Sequence, residues 1–201
     1  MRYLLLLLLT TVSCACAQTP LELLRLAQDT YKSPEGYQIN GRGSVQPSGS
    51  SWQINFDVMI AAAPPPGNAQ ASAGPGAHVG GHLQFVNVLG GTEEKPTSID
   101  IPLAVTGFWS RIAERVDSVV ETGSETLPLN GDPTACRVLQ VEYKAPTDTP
   151  KPSPVTYSIC SDRHLVLKKI TLLPTGRDAT ETPVPWTVIF DTAKFDLPAA
   201  Q

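Results

Sequence analysis

Cysteine is scarce in this sequence, and positive charge is not in excess. Of the four cysteines, two lie within the first sixteen residues, which leaves Cys136 and Cys160 for the rest of the chain. Fifteen lysines and arginines stand against nineteen aspartates and glutamates, a net charge of −4. This weak acidity argues against a nucleic-acid partner, which would require a basic patch. Beyond the N-terminus the sequence also lacks any apolar run approaching the length of about 20 residues that a membrane-spanning helix requires.

The N-terminal segment, MRYLLLLLLTTVSCACAQTP, has the features of a secretory signal peptide. Arg2 precedes a leucine run that is too short to span a bilayer, and a small-residue site follows at Ala15–Ala17. This pattern predicts removal of residues 1–17 and a single mature domain over residues 18–201, in an exported protein. The alternatives are an uncleaved N-terminal anchor and a lipoprotein lipidated at Cys14.

Periodicity predicts one helix followed by a β-rich chain. The segment TPLE, residues 19–22, is a helix start with a capping box, and apolar residues at helical spacing continue it to about residue 32. Apolar residues then alternate with polar ones, which predicts paired strands over residues 37–45 and 52–60. Residues 61–77, rich in proline, glycine and alanine and without charge, are expected to form a mobile loop between strands.

A second change of period occurs in residues 107–120. Phe108, Ile112, Val116 and Val119 fall on one helical face, which predicts a second amphipathic helix. Strand-like segments lie on both sides of it, over residues 79–88, 98–105, 119–127, 136–143, 155–160, 165–173 and 186–197. The order of these elements predicts an α+β fold built on a large antiparallel sheet.

Cys136 and Cys160 lie in two predicted strands that a proline-rich segment separates. The register that places them face to face also forms two apolar pairs, Leu139 with Tyr157 and Val141 with Val155. A slip by one residue would send the members of each pair to opposite faces of the sheet. Because thiols pair in the oxidising compartments that exported proteins reach, the register favours a disulfide.

The alternatives to a disulfide are two buried free thiols or a metal site. Zinc would need two further ligands, and only His164 follows Cys160 at a suitable distance in sequence. His78 and His82 are separated by two glycines in a loop-like context, which favours solvent-exposed histidines over a metal-binding helix. Residues 161–164, Ser-Asp-Arg-His, lie between two strands, where such residues favour a turn. The sequence therefore predicts neither an enzyme nor a cofactor.

Five apolar residues on one side of the second strand are the candidate ligand site. They are Trp52, Ile54, Phe56, Val58 and Ile60, with polar residues between them. This face has two interpretations, the lining of a lipid-sized cavity or ordinary core. A wide sheet with only two helices to cover it favours a partly open concave face.

Six segments follow the predicted signal peptide in this order: LELLRLAQDTYKS, YQINGRGSV, WQINFDVMI, ETGSETLPLNGDPTACRVLQVEY, YSICSDRHLVLKKI and WTVIFDTAKFDLP. Together they resemble the lipoprotein-carrier (LolA/LolB-like) superfamily of exported bacterial proteins. The resemblance implies an incomplete antiparallel β-barrel covered by helices, in the periplasm or secreted. It implies an apolar concavity for lipid or lipoprotein acyl chains, no catalysis and a monomer with a possible envelope protein partner. The alternative is a structural or protein-interaction domain with a packed core and no ligand.

Overall fold

The computed structural model of this chain describes residues 18–32, 36–46, 52–62, 77–78, 83–87, 91–95, 109–145, 147, 151–173 and 183–197. The predicted signal peptide, the residue Cys14 within it, and the predicted strand over residues 98–105 lie outside the described residues. Most of the predicted mobile loop, residues 63–76, also lies outside them.

The N-terminal helix, α1 (Pro20–Thr30), begins as the sequence predicts. The backbone N–H of Glu22 donates to Thr19 Oγ1 at 3.3 Å, and the backbone N–H of Thr19 donates to Glu22 Oε2 at 2.8 Å. This capping box satisfies donors that the first helical turn leaves free. The buried side of the helix carries Leu23, Leu24, Ala27 and Gln28. No helix in the described part of the chain is long and apolar enough to cross a membrane.

In the described part of the chain, ten strands form one antiparallel sheet: β1 (Gly36–Val45), β2 (Trp52–Ala62), β3 (Ala77–His78), β4 (Leu83–Asn87), β5 (Gly91–Lys95), β6 (Val116–Leu129), β7 (Asp132–Tyr143), β8 (Val155–Cys160), β9 (Val166–Leu173) and β10 (Val184–Leu197). Their order across the sheet is β5-β4-β2-β1-β10-β9-β8-β7-β6, and β3 pairs with β2. The predicted α+β architecture is confirmed: the described residues form an antiparallel sheet that is not fully closed, covered by one helix.

The predicted second helix is wrong. A single 3₁₀ turn, Trp109–Arg111, stands in its place, and β6 begins at Val116. Arg115 has a φ of 55°, a left-handed conformation that ends any helix built from the residues before it. Val116 and Val119 then pair with β7, where β-branched side chains pack better than in a helix. The helical spacing of these valines was therefore coincidental.

One side of the sheet, termed here the inner face, is covered by α1 and the 3₁₀ turn. The ring of Tyr31, at the end of α1, lies 5.4 Å from Tyr37 of β1, and Trp109 lies 5.2 Å from Phe190 of β10, as centroid distances. The rings of Tyr31 and Trp109 also contact each other at 5.6 Å. These aromatic contacts fix the covering elements over β1 and β10.

The turn between β6 and β7 joins two distant parts of the sheet. Asn130 and Gly131 both have positive φ values, 54° and 92°, as a two-residue hairpin turn of the primed type requires. The Asn130 amide donates to the carbonyl of Ala193 at 3.2 Å and accepts from its N–H at 3.0 Å, and the Asn130 N–H donates to the Asp191 carbonyl at 2.7 Å. β9 pairs with β10 only as far as Ile189, and beyond that residue β10 is hydrogen-bonded to the turn instead. Because β6 lies four places from β10 in the sheet order, this contact requires a strongly curled sheet.

We expect Asn130→Ala to lower the free energy of unfolding by about 2 kcal/mol, because it removes two side-chain hydrogen bonds and places alanine in a left-handed conformation. Urea denaturation measures the change. Asn130→Gly serves as the control, since glycine tolerates the backbone and loses only the hydrogen bonds. Equal stability of wild type and both variants would show that the turn does not hold β10.

Candidate functional site

The structure places four of the five predicted ligand-binding residues, Ile54, Phe56, Val58 and Ile60, on the inner face, as their alternation in β2 indicates. The core includes Phe56, Val58 and Ile60, each of which is at most 2% exposed. Ile54 is half-buried and packs against this core. Trp52 lies in β2, and the position of its side chain is not described. The chain itself therefore covers Phe56, Val58 and Ile60 almost completely, and Phe56 also borders a cleft described below.

The row of the inner face that includes Ile54 borders solvent and is termed here the rim row. Cross-strand pairing continues it through β1, β10, β9, β8 and β7, as Ile54, Val45, Trp186, Thr171, Val155 and Val141. Ile54, Trp186 and Val155 are half-buried apolar residues packed against the core. The Trp186 ring lies 5.8 Å from the Phe56 ring, so the rim row is continuous with the core below it.

One row further in, a lysine lies among apolar and aromatic residues. Lys169 of β9 pairs with Val188 on one side and Tyr157 on the other, and its side chain is 3% exposed. Its Nζ lies 5.4 Å from the centroid of the Trp109 ring and 6.0 Å from that of Tyr157. Burial lowers the pKa of Lys169 to about 7, because desolvation penalises the charged ammonium.

The sequence contains an indication that Lys169 is buried, which the alternation of apolar residues alone does not reveal. In VLKKITLL the inner-face positions are every second residue, and Lys169 falls on them together with Thr171 and Leu173. Its neighbour Lys168 points to the other face, where its Nζ lies 2.9 Å from Glu125 Oε2. Two successive lysines in an apolar strand therefore imply one buried lysine wherever one face of the sheet is covered.

Other polar groups accompany Lys169 on this face. The hydroxyl of Thr171 is buried and has no hydrogen-bond partner among the residues that the structure describes. The hydroxyls of Tyr143 and Tyr157 lie 3.0 Å apart, and that of Tyr143 donates to the Ile112 carbonyl at 2.8 Å. The inner face is thus apolar with a few embedded polar groups, the composition typical of sites for small ligands.

Cys136 and Cys160 are cross-strand partners, in the register that the sequence predicted. The Leu139–Tyr157 and Val141–Val155 pairs are present as well. Ser161 N–H donates to the Ala135 carbonyl, so the cysteine pair next to it is a non-hydrogen-bonded pair, the closer of the two antiparallel kinds.

Both cysteines are buried free thiols in the structure, which therefore does not show the expected disulfide. Burial raises the pKa of Cys136 to about 12 and also raises that of Cys160. The described residues contain no group of three or more histidines, cysteines or acidic residues that could hold a metal ion. Residues 161–163 form the exposed turn that the sequence predicts.

A cleft of about 600 Å³ lies between β1, β2, β10 and the end of β6, and the predicted site residue Phe56 is one of its lining residues. Its lining includes an ion pair, Arg42 Nη2 to Asp191 Oδ2 at 3.3 Å, and a hydrogen bond from Gln53 Nε2 to Asn55 Oδ1 at 2.8 Å. The lining also includes apolar residues, among them Phe56, Leu127 and Ile189. The rim row, with the half-buried Ile54, Trp186 and Val155, is a second candidate for contact with an apolar ligand.

No protein-family model and no curated protein matches the sequence. Among solved structures, the chain is similar to MucB of Pseudomonas aeruginosa in its complex with MucA, at 14% identity and a TM-score of 0.36, over 90% of this chain and 59% of that one. It is similar to LprF of Mycobacterium bovis, at 11% identity and a TM-score of 0.42, over 90% and 94%. It is also similar to a LolA superfamily protein of Nitrosomonas europaea, at 13% identity and a TM-score of 0.30, over 90% and 96%.

The chain spans about three fifths of the MucB chain. At these identities the likeness is one of fold alone.

Proposed function

We propose that this protein is an exported, non-catalytic binder of an apolar ligand, with the acyl chain of a lipid or lipoprotein lying against the inner face at the rim row. The observation that carries the proposal is the rim row itself. Ile54, Trp186 and Val155 present half-buried apolar surface that continues directly into the core. Signal-peptide removal and periplasmic or secreted location, on which the word exported rests, stay predictions from the sequence.

The physical reason is the incomplete burial of large apolar side chains at an ordered edge. Each methylene that a ligand buries there contributes about 0.8 kcal/mol. Ten methylenes give about 8 kcal/mol before the cost of ordering the chain, which is enough for measurable binding. A ligand of this kind needs no cavity in the free protein if the rim residues move apart to admit it.

Titration of the mature protein, stripped of lipid, with a fluorescent acyl-chain probe tests the proposal. We expect saturable binding that Trp186→Ala weakens about tenfold, the equivalent of 1.4 kcal/mol, through loss of the largest rim side chain. Leu172→Ala is the matched control, because Leu172 is an exposed apolar residue of β9 adjacent to Thr171 but on the opposite face. Circular dichroism verifies that both variants are folded.

A second function has its own observation in support. Phe56, Val58 and Ile60 are fully buried by the chain, as expected of a packed-core structural or protein-interaction domain without a ligand. If folded, lipid-free wild-type protein binds no acyl probe, this alternative replaces the first.

A further inference from the structure

We infer that the mature protein begins with a pyroglutamate residue, which forms when Gln18 cyclises after the signal peptide is removed. This inference rests on the predicted cleavage after Ala17, which the word exported in the proposed function also requires. It is independent of the ligand, because it concerns a covalent change of the chain itself. Gln18 is therefore a modification site at the terminus of the mature chain.

The chemistry of the new terminus follows from the residue type. Cleavage after Ala17 gives Gln18 a free α-amine, and the amide carbon of its own side chain lies where a five-membered ring can close. The amine nitrogen attacks Cδ, the bond from Cδ to Nε2 breaks, and ammonia leaves with a proton taken from the amine. The step exchanges one amide for another within a single residue, so it needs no oxidant, reductant or cofactor. Its product is a neutral lactam in place of an ammonium.

The structure leaves the reacting atoms of Gln18 accessible. The residue is exposed, and its side-chain amide makes no hydrogen bond with the residues that the structure describes. The contacts that hold this terminus lie on the other side of its Cα. Arg137 Nη1 donates to the Gln18 carbonyl at 2.9 Å. The next backbone N–H, that of Thr19, donates to Glu22 Oε2 at 2.8 Å. The amine and the side chain can therefore close the ring while the rest of the chain stays in place.

The charge that cyclisation removes lies in an unfavourable place. Gln18 directly precedes Thr19, the N-cap of α1, where the aligned peptide dipoles of the helix disfavour a cation. Because the Gln18 carbonyl contacts the Arg137 guanidinium, an ammonium on the same residue would lie within roughly 7 Å of that positive charge. The carboxylates of Glu22 and Glu121, which could offset it, already accept hydrogen bonds from other residues. A neutral lactam therefore suits these surroundings better than an ammonium.

Mass spectrometry of the full chain, expressed with residues 1–17 and recovered after export, tests the inference. We expect the N-terminal peptide to begin at residue 18 and to be lighter than its open-chain form by the mass of one ammonia. Edman degradation should give no sequence until pyroglutamyl peptidase removes the lactam, after which it should give Thr-Pro-Leu-Glu. A reagent specific for α-amines should leave this terminus unlabelled.

Gln18→Ser is the matched control, because it keeps an exposed polar residue at the cleavage site and removes the side-chain amide. Its terminus should carry a labelled α-amine, and a blocked terminus in this variant would overturn the assignment. An open-chain Gln18 that persists in wild-type protein after days at pH 7 overturns the lactam and leaves export standing. A chain that begins at any other residue, including Met1 or a lipidated Cys14, overturns both the lactam and the predicted cleavage.

Discussion

Lys169→Met is expected to unfold at a higher urea concentration than wild type at pH 7 and below. The pKa of Lys169 is about 7 in the folded protein, against an ordinary value of 10.5. Between these values the unfolded chain binds more protons than the folded one, so wild-type stability rises with pH. Below pH 7 the full cost of burying the ammonium applies, on the order of 4–5 kcal/mol at 1.36 kcal/mol per pKa unit. Methionine removes that cost and the pH dependence together.

Other titrating groups limit the pH range over which the effect of Lys169 on stability can be measured. The buried thiols of Cys136 and Cys160 have raised pKa values, so they lower stability as the pH rises above about 8.5, where the unfolded chain loses these protons. Tyr157, which contacts Lys169, and Tyr143 also have pKa values raised by burial, and they lower stability above about pH 10. Between pH 7 and 8.5 wild type should therefore gain roughly 2 kcal/mol relative to Lys169→Met.

The neighbouring lysine provides the control. Lys168→Met removes a half-buried ion pair with Glu125 on the other face, so it should lower stability and leave the rise between pH 7 and 8.5 in place. A stability difference between wild type and Lys169→Met that stays constant with pH would mean that Lys169 is not titrating in the core.

Oxidation of the Cys136–Cys160 pair should raise the free energy of unfolding by roughly 3–4 kcal/mol. We propose that the protein, if exported as its sequence predicts, carries this disulfide, because the two residues occupy directly opposed, non-hydrogen-bonded positions of neighbouring strands. With oxidised glutathione as the oxidant, the two thiols lose two protons and two electrons, and two molecules of glutathione are released. The bond closes a loop of about 25 residues, and the chain-entropy model gives the stated magnitude for that length.

Urea denaturation of protein refolded with oxidised glutathione, with and without later reduction, measures this effect. Cys136→Ser is the control, since its stability should not respond to reductant. Thiol titration of the oxidised, unfolded protein should find no free thiol in the mature chain. Two free thiols after exposure to the oxidant would contradict the proposal and would make the cysteines ordinary core residues.

Local patterns in the sequence predicted local structure well. The capping box set the start of α1, and the alternation in β2 set which residues face inwards. The register of the cysteine hairpin was correct because two apolar pairs and one cysteine pair all required it. Each of these predictions concerned residues close together in sequence or within one hairpin.

Predictions that depended on distant residues were less successful. The helical spacing of Val116 and Val119 gave no hint that β7 would pair with them. The five-residue face of β2 gave no measure of how completely α1 and the 3₁₀ turn would cover it. Lys169 was missed because a lysine pair in a strand is buried or exposed according to what covers each face, which only the assembled sheet determines.

The position of β10 between β1 and β9 has a consequence for the order of folding. The strands from β6 to β9 pair with neighbours in sequence, so this meander can form early. Among the described strands, β1 and those beyond it are hydrogen-bonded to the meander only through β10, which follows all of them in the sequence. Pairing residues some 150 positions apart is slow, because a large loop must close first. A nascent chain that ends before β10 would therefore hold two separate half-sheets with exposed edges, and the two halves would pair only after β10 has been made.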